Sequence, residues 1–234
     1  MKINKSEILF FVRSYNEWDY ILKVIEEIKS RFPNILVVDD GSTDWTYEKL
    51  SKRKDIIYLR HLINRWPGAA LETGFEFVRR NYQKLGIKYV VTFDADGQHD
   101  INDIEKFIEA MEKNSPDVII GSRFLESTYE NMPFSRKLIL LLWKIFTFFI
   151  SNISVSDPHN GYRMFTIDAI KKLKLQMDWF EYASELIDLI ARYKLKIVEV
   201  PVNIRYTQYS LSKGQKNSNA IKIAFKMIWS KFMK

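Results

Sequence analysis

The sequence predicts a single α/β domain in which a mostly parallel sheet is flanked by helices. Short apolar runs of strand length alternate with longer segments whose apolar residues recur at helical spacing. Strands that are separated in this way by helices are typical of parallel sheets covered on both faces. The chain has 234 residues, 47% of them hydrophobic, which is enough for one sizeable core but short for two.

The first half of the chain supplies most of the predicted sheet. Residues 7–12, EILFFV, form a short apolar run typical of a buried strand. Helical spacing over residues 18–32 is shown by the apolar side chains of Tyr20, Ile21, Val24, Ile25 and Ile28. By the same criteria, strands are predicted at 34–40, 55–61, 88–96 and 116–123, and helices at 68–85 and 101–113.

The second half is less regular. A strand and then a helix are predicted over 161–173, a helix over 182–194 and a strand over 196–206. Residues 136–150 form an apolar helix, shorter than the roughly 20 residues that span a bilayer, and we expect it to be buried or interfacial. A basic amphipathic helix is predicted within 217–234, after a main domain at 1–216, and we expect it to lie at a membrane interface.

The composition restricts the possible classes of function. The net charge of +7 indicates an anionic partner: nucleic acid, a phosphorylated substrate or a membrane surface. With no cysteine, the chain can have no disulfide, thiolate metal site or cysteine nucleophile. GxSxG, Walker A and GxGxxG motifs are absent, as is any recognised nucleic-acid-binding motif. No signal peptide or transmembrane helix is predicted, so a cytoplasmic location is expected.

The segment VVTFDADGQHD, residues 90–100, contains the strongest candidate for a metal site. Asp94 and Asp96 are two residues apart in an extended segment, so both side chains can point the same way. Such a pair suits a hard cation, Mg²⁺ or Mn²⁺, and like charges packed at a strand end repel unless something neutralises them. Gln98 and His99 are candidates for a further ligand or a supporting contact. Asp100 is expected to cap the next helix.

Two other groups of polar residues also follow predicted strands. Asp39 and Asp40 lie side by side where a carboxylate can accept hydrogen bonds from a ribose or a base. Asp44 is expected to cap the helix that begins at Trp45. The first strand is followed by Tyr15, Asn16 and Glu17, which either join the same site or start the next helix. Ligands of parallel sheets bind beyond the carboxyl ends of the strands, where all of these residues lie.

Three basic clusters complete the set of candidate residues. They contain Ser122 and Arg123; Asp157, His159, Asn160 and Arg163; and Arg205, Ser212, Lys213 and Lys216. Arginine is well suited to phosphate recognition, although any one cluster is more often a surface salt bridge. Together with two acidic strand ends, they favour a site in which a metal ion and basic side chains hold phosphates.

The motifs, in their order and spacing, resemble the family 2 glycosyltransferases of the Rossmann-like GT-A fold. They are YNE, VVDDGSTD, GAALETG, DADGQHD, GSRF, DPHNGYRMF and VEVPVNIRY…SLSKGQ, and the resemblance covers about residues 7–216. It is closer to the polyprenyl-phosphate sugar transferases of the dolichol-phosphate mannose synthase type. The chain departs from these relatives at Arg13, where proline is usual, and at Trp66, where glycine is usual.

The resemblance implies a role for each group of residues. The nucleotide-sugar would be held by Tyr15, Glu17 and Asp40, with Asn16 and Asp39 beside them. The Mg²⁺ or Mn²⁺ ion on the donor diphosphate would be bound by Asp94, Asp96 and Gln98. Ser122 and Arg123 would line the transfer site, and Arg163 would place the acceptor phosphate. Arg205 and Lys213 would close over the phosphates.

The implied activity is inverting transfer of a sugar from a nucleotide-sugar to a polyprenyl phosphate such as undecaprenyl phosphate, at the cytoplasmic face of a membrane. UDP-hexoses or UDP-N-acetylhexosamines are the favoured donors and GDP-mannose the next. Short members of the family work with a separate small membrane protein, so such a partner is plausible, and a homo-oligomer is possible. Nucleic acid is not expected as a partner.

Three other readings of the sequence remain open. A glycosyltransferase that extends a glycan directly would need a catalytic base, for which Asp157 is the candidate. A nucleotidyltransferase is disfavoured because its glycine-rich N-terminal loop is missing. A non-catalytic membrane-associated scaffold is disfavoured because Asp94, Asp96, Arg123 and Arg205 are all present.

Overall fold

The computed structural model describes residues 2–126, 129–130 and 134–206, and most of its strands form one seven-stranded sheet. The strands are β1 Ile8–Ser14, β2 Asn34–Asp39, β3 Ile57–Arg60, β4 Tyr89–Asp94, β5 Val118–Ser122, β6 Tyr129–Glu130, β7 Arg163–Thr166, β8 Ile197–Pro201 and β9 Ile204–Arg205. The helices are α1 Ile21–Lys29, α2 Thr46–Leu50, α3 Trp66–Leu85, α4 Ile104–Asn114, α5 Phe134–Ser151, α6 Ile167–Lys172 and α7 Tyr182–Arg192.

The large sheet has the strand order β3-β2-β1-β4-β7-β5-β8. All neighbouring strands are parallel except β7, which runs antiparallel to both β4 and β5. In the central register, Ser14 lies opposite Asp39, and Arg13 lies opposite Asp94. The carboxyl ends of β2, β1 and β4 therefore meet at one edge of the sheet, and this edge carries the candidate site. The short strands β6 and β9 pair separately.

Helices cover both faces of the sheet, which explains why the strands are almost continuously apolar. One face packs against α1 and α4 through residues such as Ile25 and Phe107. The other face packs against α3, α6 and α7 through residues such as Phe75, Ile170 and Leu186. The predicted α/β class with a mostly parallel sheet is thus confirmed.

Some predicted boundaries differ from those observed. The strand predicted over 196–206 is two strands, β8 and β9, because the residues between them bond elsewhere. Val202 N donates to Ser122 O over 3.0 Å, and Asn203 N donates to Asp103 Oδ2 over 2.7 Å. The predicted polar loop with Lys213 and the predicted helix within 217–234 lie outside the described residues.

A buried cluster of edge-to-face aromatic rings joins the sheet to α3 and gives a test of the fold. The Phe75 ring lies 6.4 Å from that of Phe11 and 5.3 Å from that of Phe165. We expect Phe75→Ala to lower the free energy of unfolding by about 3–5 kcal/mol in a urea titration, because a cavity replaces the ring. Leu62→Ala, at a side chain 96% exposed, should change it by less than about 0.5 kcal/mol. Equal losses in the two variants would contradict this account of the core.

Candidate active site

The first carboxylate after β2 is fully buried and shapes the loop that follows. Asp39 Oδ1 accepts from Ser42 N over 2.9 Å, and Oδ2 accepts from Tyr58 Oη over 2.8 Å. Burial raises the pKa of Tyr58, and the hydrogen bond to Asp39 raises it further, so the phenol stays a donor. The structure therefore gives Asp39 a supporting position beside the predicted nucleotide contacts.

Asp40 is bound by a histidine that the sequence analysis did not single out. His61 Nδ1 lies 2.6 Å from Asp40 Oδ1, and His61 Nε2 lies 2.8 Å from Thr73 Oγ1. Arg65 N also donates to Asp40 Oδ1, over 2.9 Å. Burial raises the pKa of Asp40, while the bonds from Arg65 and His61 oppose the rise. No sequence signal links His61 to Asp40, which lies 21 positions away.

The polar residues after β1 are joined to the loop after β2, as their predicted common role requires. Asn16 has a positive φ of 55°, and its Oδ1 accepts from Thr43 N over 2.8 Å. Glu17 N donates to Thr46 Oγ1 over 3.1 Å, and the Glu17 carbonyl starts α1 by accepting from Ile21 N. Tyr15 keeps 40% of its surface exposed. The segment after β1 can therefore both start α1 and belong to the candidate site.

The Asp94 carboxylate, at the end of β4, is bound on both oxygens. Arg13 Nη2 donates to Oδ1 over 2.5 Å, and His99 Nε2 lies 3.2 Å from Oδ2. Burial opposes ionisation of Asp94, but the charge of Arg13 and the contact with His99 outweigh it and hold its pKa below the usual range. Asp94 is therefore a carboxylate whose charge is already compensated within the protein.

Asp96 has no ion pair with any described residue. Its Oδ1 accepts from Gln98 N over 3.0 Å. Burial and the negative charge of Asp94 raise the pKa of Asp96, as expected for a carboxylate that lacks a cation. Within the described ranges, no three histidine, cysteine or carboxylate side chains are grouped to hold a metal alone. The residues fit a hard cation that completes its coordination with oxygens of a ligand, as Mg²⁺ commonly does.

Gly161 places the segment before β7 directly against Asp94. Its carbonyl accepts from Thr92 Oγ1 over 2.7 Å. A Cβ built on Gly161 would overlap the Asp94 carboxylate, so only glycine allows this approach of backbone to side chain. The DPHNGYRMF motif thereby reaches the Asp94 carboxylate.

The transfer-site residues predicted after β5 are buried and held from within the protein. Arg123 Nε donates to Asp157 Oδ2 over 2.6 Å, and Arg123 Nη1 donates to the Tyr206 hydroxyl. Asn160 Nδ2 also donates to Asp157 Oδ2, over 3.3 Å. Ser122 is fully buried, with its Oγ 2.5 Å from Ser156 Oγ. Asp157 thus orients Arg123 through Oδ2, and its role as a catalytic base stays a prediction.

Arg163, the predicted acceptor-phosphate ligand, is 1% exposed and lies between the two clusters. Its Nη2 donates to Pro158 O over 2.7 Å, while its buried Nε has no partner among the described residues. Burial and the charge of Arg13 lower the pKa of Arg163, and Asp94 and Asp157 oppose the change. The charges of Arg13, Asp94 and Asp157 therefore all act on Arg163 at this sheet edge.

The loop that carries the metal-site candidates is attached to β9. Gln98 O accepts from Arg205 N over 3.1 Å, and His99 forms an isolated bridge with Ile204. The Arg205 guanidinium donates to Asp100 Oδ2 over 2.7 Å. Asp100 Oδ1 also accepts from Asn102 N, which confirms the predicted cap. The closing role of Arg205 stays a prediction, and that of Lys213 lies outside the described residues.

Trp66 adopts the backbone conformation that explains why glycine is usual at this position in the relatives. Its φ is +73°, in the left-handed region that strains a side chain of this size. The indole ring lies 6.1 Å from that of Trp179 and 6.5 Å from that of Phe180. Since Arg65 N binds Asp40, this aromatic group borders the nucleotide side of the site.

The sequence profile described as "Glycosyl transferase family 2" matches residues 10–174. The chain belongs to glycosyl transferase family 2. It is 32% identical to the UDP-N-acetylglucosamine–dolichyl-phosphate N-acetylglucosaminyltransferase of Methanococcus voltae, with 97% of each chain covered. It is 28% identical to the polyprenol monophosphomannose synthase of Mycolicibacterium smegmatis, over 94% of this chain and 84% of that protein.

A solved structure shares the fold of this family 2 chain. Staphylococcus aureus TarS 1-349 in complex with UDP aligns with a TM-score of 0.55 and 14% identity, over 95% of this chain and 70% of TarS. At this identity the likeness shows the GT-A fold alone. The predicted fold and the predicted resemblance to polyprenyl-phosphate sugar transferases are both confirmed, and the protein is a glycosyltransferase.

The close approach of Gly161 to Asp94 can be tested by substitution. We expect Gly161→Ala to displace the Asp94 carboxylate and to lower the rate of sugar transfer by about 100-fold, because small misplacements at a reacting centre are costly. The control is Gly86→Ala, at a helix C-terminus with open space around it. Because Gly86 has a φ of +67°, this change should cost about 1 kcal/mol of stability but leave the rate unchanged. A fully active Gly161→Ala protein would refute the account.

Proposed function

We propose that this glycosyltransferase moves a sugar from a nucleotide-sugar to a polyprenyl phosphate, with inversion at the anomeric carbon. UDP-N-acetylhexosamine or UDP-hexose is the favoured donor, and GDP-mannose is the next. The acceptor class is supported by the names of the relatives from M. voltae and M. smegmatis, which align over nearly the whole chain. The favoured donor is supported by the M. voltae relative alone.

The donor nucleotide is assigned to the edge formed by the ends of β1 and β2. Tyr15 offers an exposed aromatic face for a base, and Asp40 is oriented by His61 toward the loops that meet there. A ribose hydroxyl would donate a hydrogen bond to the Asp40 carboxylate. The loop contact between Asn16 and Thr43 fixes the distance between these two groups.

The donor diphosphate is assigned to a Mg²⁺ or Mn²⁺ ion held by Asp96 and Gln98, with Asp94 beside them. The uncompensated charge of Asp96 supports this choice, since a hard cation would neutralise it. When bound, the ion supplies charge stabilisation to the leaving nucleoside diphosphate.

The pairing of Asp157 with Arg123 is the observation that carries the choice of acceptor. Asp157 is 1% exposed, and its Oδ2 accepts from Arg123 Nε over 2.6 Å. A hydroxyl acceptor needs a carboxylate base, whereas a phosphate acceptor is already anionic and needs cations. Arg123 and Arg163 provide two buried guanidiniums. A lipid phosphate fits this arrangement better than a glycan hydroxyl.

The chemistry then reduces to positioning two anions that repel each other. An oxygen of the acceptor phosphate attacks the anomeric carbon, the bond from that carbon to the donor diphosphate breaks, and the nucleoside diphosphate leaves with the electron pair. No proton has to move in this step. Arg163 holds the acceptor oxygen on the face opposite to the leaving group, which gives inversion.

The exposed face of α5 supports an assignment to the membrane surface, where polyprenyl phosphates lie. Its large apolar side chains are at least 43% exposed at Leu138, Leu141, Leu142, Ile145, Phe148 and Phe149. The helix carries basic but no acidic residues, which suits anionic lipid. Among the described residues, no helix is long and apolar enough to span a membrane. We propose a peripheral position at the inner face of the cell membrane, and a small membrane partner stays a prediction.

A transfer assay tests the proposed reaction. The protein is mixed with undecaprenyl or dolichyl phosphate, Mg²⁺ or Mn²⁺, and a panel of UDP- and GDP-sugars, with and without host membranes, and the lipids are analysed by mass spectrometry. We expect one sugar to appear on the lipid phosphate and Asp96→Asn to lower the rate at least 100-fold. Asp168→Asn, whose side chain is 81% exposed, is the charge-matched control and should be fully active.

The outcomes of this assay separate the alternatives. Product that forms only with membranes supports a membrane partner. Nucleotide binding without any lipid product contradicts the proposal and favours a glycan acceptor. A product with retained anomeric configuration contradicts the single displacement.

The role of α5 is tested by vesicle sedimentation. We expect Leu142→Glu with Phe149→Glu to lower binding to vesicles of anionic phospholipid about tenfold or more, because both side chains lie on the exposed apolar face. The charge-matched control is Leu62→Glu with Tyr193→Glu, at two exposed side chains outside α5, and it should bind normally. Undiminished binding of the double variant would remove α5 from the membrane contact.

A further inference from the structure

The Arg13 side chain occupies the metal-site edge in a fixed position. Arg13 lies on β1 opposite Asp94 on β4, and the two side chains are 10% and 33% exposed. One guanidinium nitrogen donates to Asp94 Oδ1 over 2.5 Å, and another donates to Tyr182 Oη over 2.7 Å. The guanidinium also lies 5.2 Å from the Tyr182 ring centre. Three contacts from two elements hold the cation in place.

The positive charge of Arg13 lowers the net negative charge that a metal ion meets at this edge of the sheet. Without Arg13, Asp94 and Asp96 would present two negative charges. With Arg13, which stays protonated at any working pH, the net charge of the three groups is one negative. A divalent ion that approaches Asp94 is therefore repelled by a guanidinium that cannot swing away.

We propose that Arg13 is a built-in counter-ion that keeps metal affinity low until a nucleoside diphosphate is bound. The diphosphate brings negative charges of its own, which restore the attraction that Arg13 removes. Metal and donor then bind as a unit, and Arg13 acts as a positioning residue for Asp94. The inference rests on the proposed function, because it takes Asp96 and Gln98 as the metal ligands.

The test is a titration with Mn²⁺, followed by the electron paramagnetic resonance signal of the free ion, with and without UDP or GDP. The wild-type protein should bind Mn²⁺ weakly alone and more tightly with the nucleotide. Arg13→Met should bind Mn²⁺ on the order of tenfold more tightly in the absence of nucleotide, the scale on which neighbours of metal ligands act. Arg13→Gln, which retains a hydrogen-bond donor toward Asp94, should show the same increase in Mn²⁺ affinity. It replaces Arg13→Met in the test if that variant does not fold.

The charge-matched control is the double variant Arg13→Met with Asp94→Asn. It has the same net charge as the wild-type cluster, so its Mn²⁺ affinity without nucleotide should return to the wild-type value. Suppose that wild type binds Mn²⁺ with UDP or GDP, but neither single variant binds Mn²⁺ more tightly than wild type in the absence of nucleotide. That result would overturn this inference and leave the proposed metal site standing. Failure of the wild-type protein to bind Mn²⁺ with either nucleotide would overturn both the metal site and this inference.

Discussion

The compensation of negative charge at one edge of the sheet is the constraint on which the site depends. The parallel arrangement of β2, β1 and β4 brings their carboxyl ends together, with aspartates at the ends of β2 and β4 and Arg13 on β1 opposite Asp94. Buried carboxylates need a partner, because desolvation disfavours the charged form. The protein supplies His61 and backbone amides to Asp40, and Arg13 and His99 to Asp94. Asp96 accepts a hydrogen bond from Gln98 N and has no ion pair among the described residues, and for this reason we propose it as a metal ligand.

The cluster that contains Arg123 and Arg163 has a similar arrangement with the charges reversed. Arg123 is compensated by Asp157, whereas Arg163 has a carbonyl partner and a buried Nε without one in the described residues. Each cluster thus contains one charged group with an oppositely charged partner and one that lacks such a partner among the described residues. Gly161 lets the two clusters touch, because its missing side chain admits the Asp94 carboxylate.

Sequence patterns predicted the element types and the ends of the strands, since apolar runs and polar strand ends are local signals. They did not predict that β7 is antiparallel or that it lies between β4 and β5, because pairing across the sheet leaves no local mark. Arg13 was recognised only as a departure from the relatives. Its contacts with Asp94 and Tyr182 span 81 and 169 positions. The predicted aspartates at the strand ends lie at one edge of the sheet, while the groups that contact Asp94 include side chains from distant parts of the chain.

The position of α5 connects the proposed membrane contact to the chemistry. The buried Trp143 ring on its inner face lies 4.9 Å from the His159 ring. His159 follows Pro158, whose carbonyl binds Arg163, and precedes the Asn160–Gly161 turn against Asp94. In the proposed arrangement, a helix whose outer face contacts lipid packs through Trp143 on the segment that binds Arg163. A polyprenyl phosphate that arrives from the membrane would then approach Arg163 across the depth of this helix, so the proposed membrane-contacting surface would also set the direction from which the acceptor enters.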